Sequence, residues 1–303
     1  MIVTRTHRSA RGAALVVAML LTALGAAVAV QMIVPLSGWL EREYRARDTQ
    51  ASYTLADASA AWALTVLAAD ARLGPVDHYG ELWATPLPAT PVEGGSIEGR
   101  ITDLQARFNL NSVAPRGVRS APNIALARTL FAQAGVPVGL VDALADSIDR
   151  DEISDDGQSE RQRYGRNLRN APLRRFADLL DVPGITDAHV SALMAAVTVL
   201  PEATPINANT AAPALIATAF PGATRETLDR AIPRRAQQPF ASAGDLAAAI
   251  GQPLPDSMFS ANTQYFAVDA TIRFERAAHR VQLQIARPPN ARPIVISRLI
   301  SNA

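Results

Sequence analysis

The sequence of 303 residues contains no cysteine, which excludes a disulfide scaffold and any chemistry that depends on a thiol. A chain of this length can still bury a core large enough to fold without covalent cross-links. Lysine is also absent, so all 29 basic residues are arginine, and we interpret this as genome composition rather than function. Because 28 acidic residues leave a net charge of only +1, no overall field attracts nucleic acid or a lipid surface.

Patterns typical of catalytic sites are missing as well. No phosphate-binding glycine loop occurs, and His78, His189 and His279 are widely separated without a Ser/His/Asp grouping. The sequence therefore predicts a protein that is not an enzyme.

Charged residues are absent between Ala13 and Leu40. About 20 apolar residues in a helix span the hydrocarbon core of a membrane, so this stretch is long enough to cross one. Arg5, Arg8 and Arg11 precede it, which predicts a cytoplasmic N-terminus by the positive-inside rule. We expect a protein that crosses a membrane once, with its soluble part on the side opposite the cytoplasm.

The helical character continues from Glu41 to Asp70, where neither proline nor glycine occurs. Apolar residues between Tyr44 and Leu67 approximate one face, which predicts an amphipathic second half for one long helix. Two alternatives remain for the apolar segment: removal at a signal-peptidase site formed by Ala27 to Ala29, or a plain membrane anchor.

The junction "RGAALVV" resembles the leader of type IV pilins and pseudopilins, in which a short basic leader ends in glycine before an apolar helix. In that superfamily the prepilin peptidase cuts after the glycine, here Gly12, and methylates the new terminus, here Ala13. Most such subunits carry glutamate at the fifth mature position, where it neutralises a neighbouring subunit's terminal amine. Val17 stands there in this chain, and a subunit at the growing end has no neighbour above it, so the resemblance implies a tip position.

The soluble part begins with a turn-rich stretch and is expected to form an antiparallel sheet with a helical insertion. Alternating residues predict one strand over Ile97 to Asp103 and three more between Tyr265 and Ile300, with a hairpin turn at Glu275 to His279. Between them, apolar spacing predicts helices from about Asn123 to Ile250.

The predicted class is α+β: a pilin-like long N-terminal helix packed on a small antiparallel sheet, with a large inserted helical domain that is similar to sterile-alpha-motif or helix-hairpin-helix folds. The predicted segments are a leader (1–12), a long helix (13–70, transmembrane over 13–40), the first pilin-like part (71–103), a first helical unit with an acidic loop (104–200), a second helical unit (201–260) and C-terminal strands (261–303).

Several motifs in order, "ELWATPLP", "ARFNLNSV", "DSIDRD", "GQSERQRYG" and "PINANTAAPALIATAF", resemble general secretion pathway protein K, the large minor pseudopilin family of the type II secretion system. The resemblance implies a role in capping the tip of a pseudopilus and in initiating or limiting its assembly during export across the outer membrane. It implies minor pseudopilins of the I and J types, the major pseudopilin and the prepilin peptidase as partners.

The loop "DSIDRDEISDDGQSE" concentrates carboxylates, which repel one another unless they are solvated or bridged by a cation. Oxygen ligands suit calcium, but Ser154 stands where an EF-hand requires glycine, so another geometry is expected. A solvated acidic loop is the alternative. The family resemblance favours one or two calcium ions, with the candidate ligands Asp149, Asp151, Glu160, Asp155 and Asp156. A calcium-dependent periplasmic enzyme is a further alternative, since carboxylate pairs also serve acid–base catalysis.

Two helical hairpins are similar to the helix-hairpin-helix repeats of competence DNA receptors. Their turns, "PGIT" and "PGAT", each carry one glycine, whereas the DNA-binding version uses two to let backbone N–H groups approach a phosphate. Arg225 and Arg230 are offset by Glu226 and Asp229 and lack interleaved aromatic residues. We therefore expect no nucleic-acid partner, with a DNA-uptake receptor kept as the alternative function.

Overall fold

The computed structural model describes residues 10–154, 156–254, 257–274 and 277–302. Most of the predicted leader and the candidate ligand Asp155 therefore lie outside the described residues. The α-helices of the described part are α1 (Ala10–Asp70), α2 (Ala121–Gln133), α3 (Leu140–Ile148), α4 (Glu160–Tyr164), α5 (Asp187–Leu193), α6 (Pro213–Ala219), α7 (Arg225–Arg234) and α8 (Ala243–Ile250). The strands are β1 (Leu87–Val92), β2 (Gly95–Asp103), β3 (Phe108–Asn109), β4 (Val197–Thr198), β5 (Ile206–Asn207), β6 (Phe259–Ser260), β7 (Tyr265–Phe274), β8 (Ala277–Ala286) and β9 (Ile294–Asn302).

Helix α1 is a continuous helix of 61 residues. In the described part of the chain, one helical segment, Ala13–Met32, is long and apolar enough to cross a membrane, and none of it is buried within the protein. Its exposed leucine, valine and methionine side chains have no protein partner here, which fits a segment whose solvent is lipid.

The soluble half of α1 contacts the sheet through small residues. Ala56, Ser59 and Ala63 are buried at helical spacing and are followed by Leu67, which is fully buried. Tyr44 is 54% exposed, so the predicted apolar face is wrong at its N-terminal end. Small side chains allow the helix axis to lie close to the sheet, so the packing face consists of alanine and serine as well as Leu67.

Five strands form the main sheet in the order β1-β2-β7-β8-β9, and every neighbouring pair is antiparallel. The central pair joins β2 to β7, with Asp103 opposite Phe266. The chain therefore leaves the sheet after Asp103 for the helical region and returns beside the same point at Tyr265. This arrangement confirms the predicted α+β class with a helical insertion.

Alternation of buried and exposed residues in β7 and β8 is confirmed: Val268, Ala270 and Ile272 face the core. The hairpin predicted at Glu275 to His279 is confirmed in position but is shorter than predicted, because Ala277 already pairs with Phe274 and His279 belongs to β8. Strand β1 was not expected, since its sequence contains two prolines. It is an edge strand with a register irregularity between Leu87 and Thr90, and proline is tolerated at such positions because a backbone donor is not required.

The helical region has its own apolar core, separate from the core between α1 and the sheet. Its largest fully buried side chains include Phe108, Phe131 and Phe220. Both hairpin turns lead into a capped helix: the Thr186 hydroxyl accepts a hydrogen bond from the His189 N–H at the start of α5, and Thr224 caps α7 in the same way. The hairpins thus pack as structural units of one core.

Asp103 joins the sheet to the helical region. Its carboxylate is 5% exposed and accepts hydrogen bonds from the Gln105 N–H at 2.7 Å and the Asn207 amide at 2.9 Å. The hydroxyls of Thr210 and Thr263 donate to it at 2.6 Å each. Burial raises the pKa of Asp103, and these four donors oppose that effect by stabilising the charged form.

Arg287 forms a second junction at the C-terminal end of α1. Its guanidinium donates to the Asp70 carboxylate at 2.7 Å, to Asp77, and to the backbone carbonyl of Thr263 at 2.9 Å. It also lies 4.7 Å from the centre of the Phe266 ring, a distance suited to a cation–π contact. Through one side chain, the last turn of α1, the following loop and the return into β7 are held together.

Candidate metal centre

The acidic loop lies between α3 and α4 and brings three carboxylates together. Asp146 lies in the last turn of α3, Asp149 follows that helix directly, and Glu160 is the first residue of α4. One oxygen from each of these side chains lies within 4.8 Å of the other two. Two ligands of a single calcium ion are at most about 5 Å apart, since each lies about 2.3–2.6 Å from the ion. The spacing is therefore compatible with one shared cation.

The loop closes through its own backbone. The Ser154 N–H donates to Gln158 at 2.9 Å, and the Glu160 N–H donates to the Glu152 carbonyl at 3.0 Å. The chain reverses at Gly157, whose φ of 76° is readily adopted by glycine alone. The reversal thus falls three residues after the position where an EF-hand places its glycine, which confirms that this loop does not have the EF-hand pattern.

The three carboxylates are buried, and burial makes their charged forms energetically costly. Asp146 and Asp149 are 0% exposed and Glu160 is 2% exposed. Among the described residues, both carboxylate oxygens of Asp149 and one of Glu160 have no hydrogen-bond partner, and neither does the side-chain carbonyl of Asn170 nor the Ser154 hydroxyl. A buried polar atom without a partner is costly, so these oxygens are in position to bind a cation.

The pKa values of Asp149 and Glu160 are raised by this burial and by the neighbouring charges. Burial, followed by the charges of Asp151 and Glu160, raises the pKa of Asp149 to about 7. Burial, followed by the charge of Asp146, raises the pKa of Glu160 to about 6. Each carboxylate makes ionisation of its neighbour harder, and a divalent cation would remove that repulsion.

Asp146 differs because it already has two donors. The Tyr164 hydroxyl donates to one of its oxygens at 2.6 Å, and the Arg119 guanidinium binds the other. Burial and this hydrogen bond raise the pKa of Tyr164, which keeps its hydroxyl protonated as a donor. With all three carboxylates ionised and one guanidinium present, the buried group carries a net charge of −2, which a calcium ion would balance.

The structure distributes the five predicted ligands unevenly. It brings Asp149 and Glu160 together, whereas Asp151 is exposed and its carboxylate accepts from the Ile153 N–H at 2.9 Å. Asp156 is exposed and pairs with Arg163 at 3.0 Å. The fifth, Asp155, lies outside the described residues.

Two residues of the buried group were absent from the predicted ligands, namely Asp146 and Asn170. Asp146 precedes Asp149 by three residues, so both fall on one face of the helix end, and that spacing could have identified it. Asn170 is distant in sequence from the acidic loop. Its amide donates to the backbone carbonyl of Asp151 at 2.6 Å, which brings the segment that follows α4 back over the loop.

The processing residues lie on α1, which begins at Ala10. The backbone at Gly12 is helical, and Ala13 and Val17 are exposed, the latter by 54%. No internal contact in the described residues accounts for the choice of valine over glutamate at position 17.

Comparison with known proteins gives concordant results. Two family models described as type II secretion system protein K match residues 106–202 and 206–269. The type II secretion system protein K of Pseudomonas aeruginosa is 32% identical over 67% of this chain and 66% of its own length. That of Klebsiella pneumoniae is 30% identical over 71% of each chain. The alignments thus span about two thirds of the length of these curated relatives.

The fold has a solved counterpart. One chain in the crystal structure of the GspK-GspI-GspJ complex from the enterotoxigenic Escherichia coli type 2 secretion system superimposes with a TM-score of 0.67. The match covers 84% of this chain and 99% of that chain at 20% sequence identity, so it supports the architecture. From the matching family models, the curated relatives and this architecture, the chain belongs to the type II secretion system protein K family.

Proposed function

We propose that this chain is a membrane-anchored minor pseudopilin that caps the tip of the type II secretion pseudopilus together with minor pseudopilins of the I and J types. The observation that carries the proposal is the insertion of a complete helical region between β2 and β7 of a sheet packed on the long helix α1. The protein acts as an assembly component of the bacterial inner membrane rather than as an enzyme, with its soluble part in the periplasm.

Steric bulk explains how such a subunit would end a fibre. In a pilin-like fibre, α1 packs laterally against the same helix of other subunits, and each added subunit needs room beside the sheet. The helical region is fixed to the sheet through Asp103, which accepts hydrogen bonds from Asn207 and Thr210, so it cannot swing aside easily. A subunit of this shape can begin assembly or limit it, but it leaves little space for a subunit stacked above.

The N-terminus supports the same role. We propose that the prepilin peptidase cuts after Gly12 and that Ala13 becomes the methylated terminus of the mature protein. Val17 lacks the carboxylate that would neutralise the amine of a neighbour above, which suits a tip subunit. The apolar segment Ala13–Met32 would remain in the inner membrane and later contact the helices of the major pseudopilin.

We further propose that the acidic loop holds calcium. Asp149 and Glu160 would be the principal ligands, because their buried oxygens lack partners, and Asn170 and Asp146 are placed to complete the oxygen shell. A bound calcium ion would neutralise the buried carboxylates and tie the end of α3 to the start of α4. The site thus stabilises the helical region rather than performing a reaction.

Complex formation tests the first proposal. The purified full chain in detergent, mixed with the periplasmic regions of the I-type and J-type pseudopilins, should form a ternary complex containing one copy of each, measured by light scattering after size exclusion. The same mixture with the major pseudopilin in place of the I and J types serves as the control and should not yield this complex. Long homopolymers of the chain alone would contradict a capping role.

Calcium removal tests the second proposal. Addition of calcium at about 100 times its dissociation constant should stabilise the native protein by about 2.7 kcal/mol. Asp149→Asn should abolish this shift in thermal denaturation, since it removes the carboxylate with two unpartnered oxygens. Asp156→Asn is the matched control, because Asp156 is exposed and paired with Arg163, and it should keep the full shift. An equal shift in both variants would disprove Asp149 as a ligand.

A further inference from the structure

A cationic side chain already lies inside the carboxylate group. Arg119 precedes α2 and is only 17% exposed at its side chain. Its guanidinium binds Asp146, and the same nitrogen lies 3.9 Å from an oxygen of Asp149. A second guanidinium nitrogen lies 3.6 Å from Asp142. Arg119 therefore contacts both the supported carboxylate and the one without hydrogen-bond partners.

Local backbone geometry holds Arg119 in this place. Gly117 has a φ of 77°, and a Cβ built on it would approach the Arg150 side chain to 2.3 Å. The Arg150 N–H donates to the Gly117 carbonyl at 3.2 Å, which joins the segment before α2 to the start of the acidic loop. The position of the guanidinium is thus a built feature of the loop rather than a chance surface pairing.

Two effects of Arg119 act against a bound cation. Its positive charge repels a calcium ion at the Asp149 carboxylate, and the repulsion is strong because the group is shielded from water. It also occupies one oxygen of Asp146, which removes that oxygen from the ligand set. Without a cation, the same guanidinium offsets part of the carboxylate repulsion and stabilises the loop.

We propose that Arg119 is a resident competitor of the metal: it stabilises the calcium-free loop and lowers the calcium affinity of the site. The inference rests on the proposed calcium site. It differs from a purely structural role, which would make Arg119 favourable in both states. Its consequence is that the helical region keeps its fold at low calcium and binds the ion more weakly than its carboxylates alone would allow.

The test is a calcium titration of the full chain in detergent, with the dissociation constant measured by competition with a chelator. Arg119→Gln should bind calcium about tenfold or more tightly than the unchanged protein, because one charge near the ion is lost. Its melting temperature in chelator should fall, so the calcium-induced shift should grow. Because the variant can be purified with calcium present, folding of its calcium-free form is not required for the affinity measurement.

Two further variants separate charge from packing. Arg128→Gln is the control, since Arg128 lies on α2, is 47% exposed and pairs with Asp142 at 2.7 Å without reaching Asp149; its affinity should stay within about twofold. Arg119→Lys keeps the charge and should stay within about threefold. If Arg119→Gln binds calcium as tightly as the unchanged protein or more weakly, the inference about Arg119 is overturned, whereas the proposed calcium site is not. Failure of every variant and of the unchanged protein to bind calcium overturns both.

Discussion

Replacement of Arg287 by methionine is expected to lower the free energy of unfolding by about 3–5 kcal/mol, among the largest effects of any single substitution in this chain. The guanidinium forms ion pairs with both Asp70 and Asp77, which are 4% and 2% exposed. Methionine preserves much of the side-chain volume but leaves both carboxylates buried without a cation. Chemical denaturation followed by circular dichroism measures the loss.

The loss should shrink as the pH falls from about 7.5 to about 5. Burial, followed by the charge of Glu81, raises the pKa of Asp70 to about 6 even though Arg287 lowers it. Without the guanidinium this pKa rises further, so the folded state takes up a proton that the unfolded state does not, and stability increases toward acid pH.

Arg292→Met is the matched control because Arg292 is exposed, and it should change stability by less than about 0.5 kcal/mol. A similarly small change in Arg287→Met would refute this account of the junction.

Asp103→Ala should cost about 3 kcal/mol or more. The substitution removes the acceptor that four buried donors share, and each donor left unpaired costs about 1–3 kcal/mol. Because one donor, Thr263, lies just before β7 and the other three lie in the helical region, we expect the sheet and the helical region to lose their mutual order together. Limited proteolysis should therefore cut between them sooner in the variant.

Glu93→Ala is the control for this substitution. Glu93 is an exposed carboxylate in the turn between β1 and β2, and its removal should change the free energy of unfolding by less than about 0.5 kcal/mol. A cost of less than about 1 kcal/mol for Asp103→Ala would mean that the four donors find other partners, and the carboxylate would then not hold the junction.

The sequence was most informative where a periodic pattern or a motif order governs the structure. The alternation of Val268, Ala270 and Ile272 predicted the core face of β7 because side chains in a strand alternate strictly. The long helix followed from an apolar segment continued by an alanine-rich stretch. The packing face of that helix was harder to predict, since the closest contacts use Ala56 and Ala63, which hydrophobicity alone does not distinguish from other alanines.

The candidate site was predictable only in part. Asp149 and Glu160 are selected, together with Asp151, from the resemblance to a family pattern, and Asp155 and Asp156 are added as secondary candidates. The structure turns Asp151 and Asp156 toward solvent. Arg119 could not be found in this way. Its contact with Asp146 spans 27 positions and depends on how α2 packs against α3, a tertiary feature that local patterns do not encode.

The pairing of β2 with β7 has a consequence for how the protein folds. Asp103 and Phe266 are direct neighbours in the sheet, although about 160 residues separate them, and closing so long a flexible loop carries an entropic cost that slows folding. A helical region that is already folded brings the two ends together and removes most of that cost. We therefore expect the helical region to fold first and β2 to pair with β7 afterwards. In that order, a subunit whose helical region fails to fold would not complete the sheet on which α1 packs, and under the proposed function it would not be able to join a fibre.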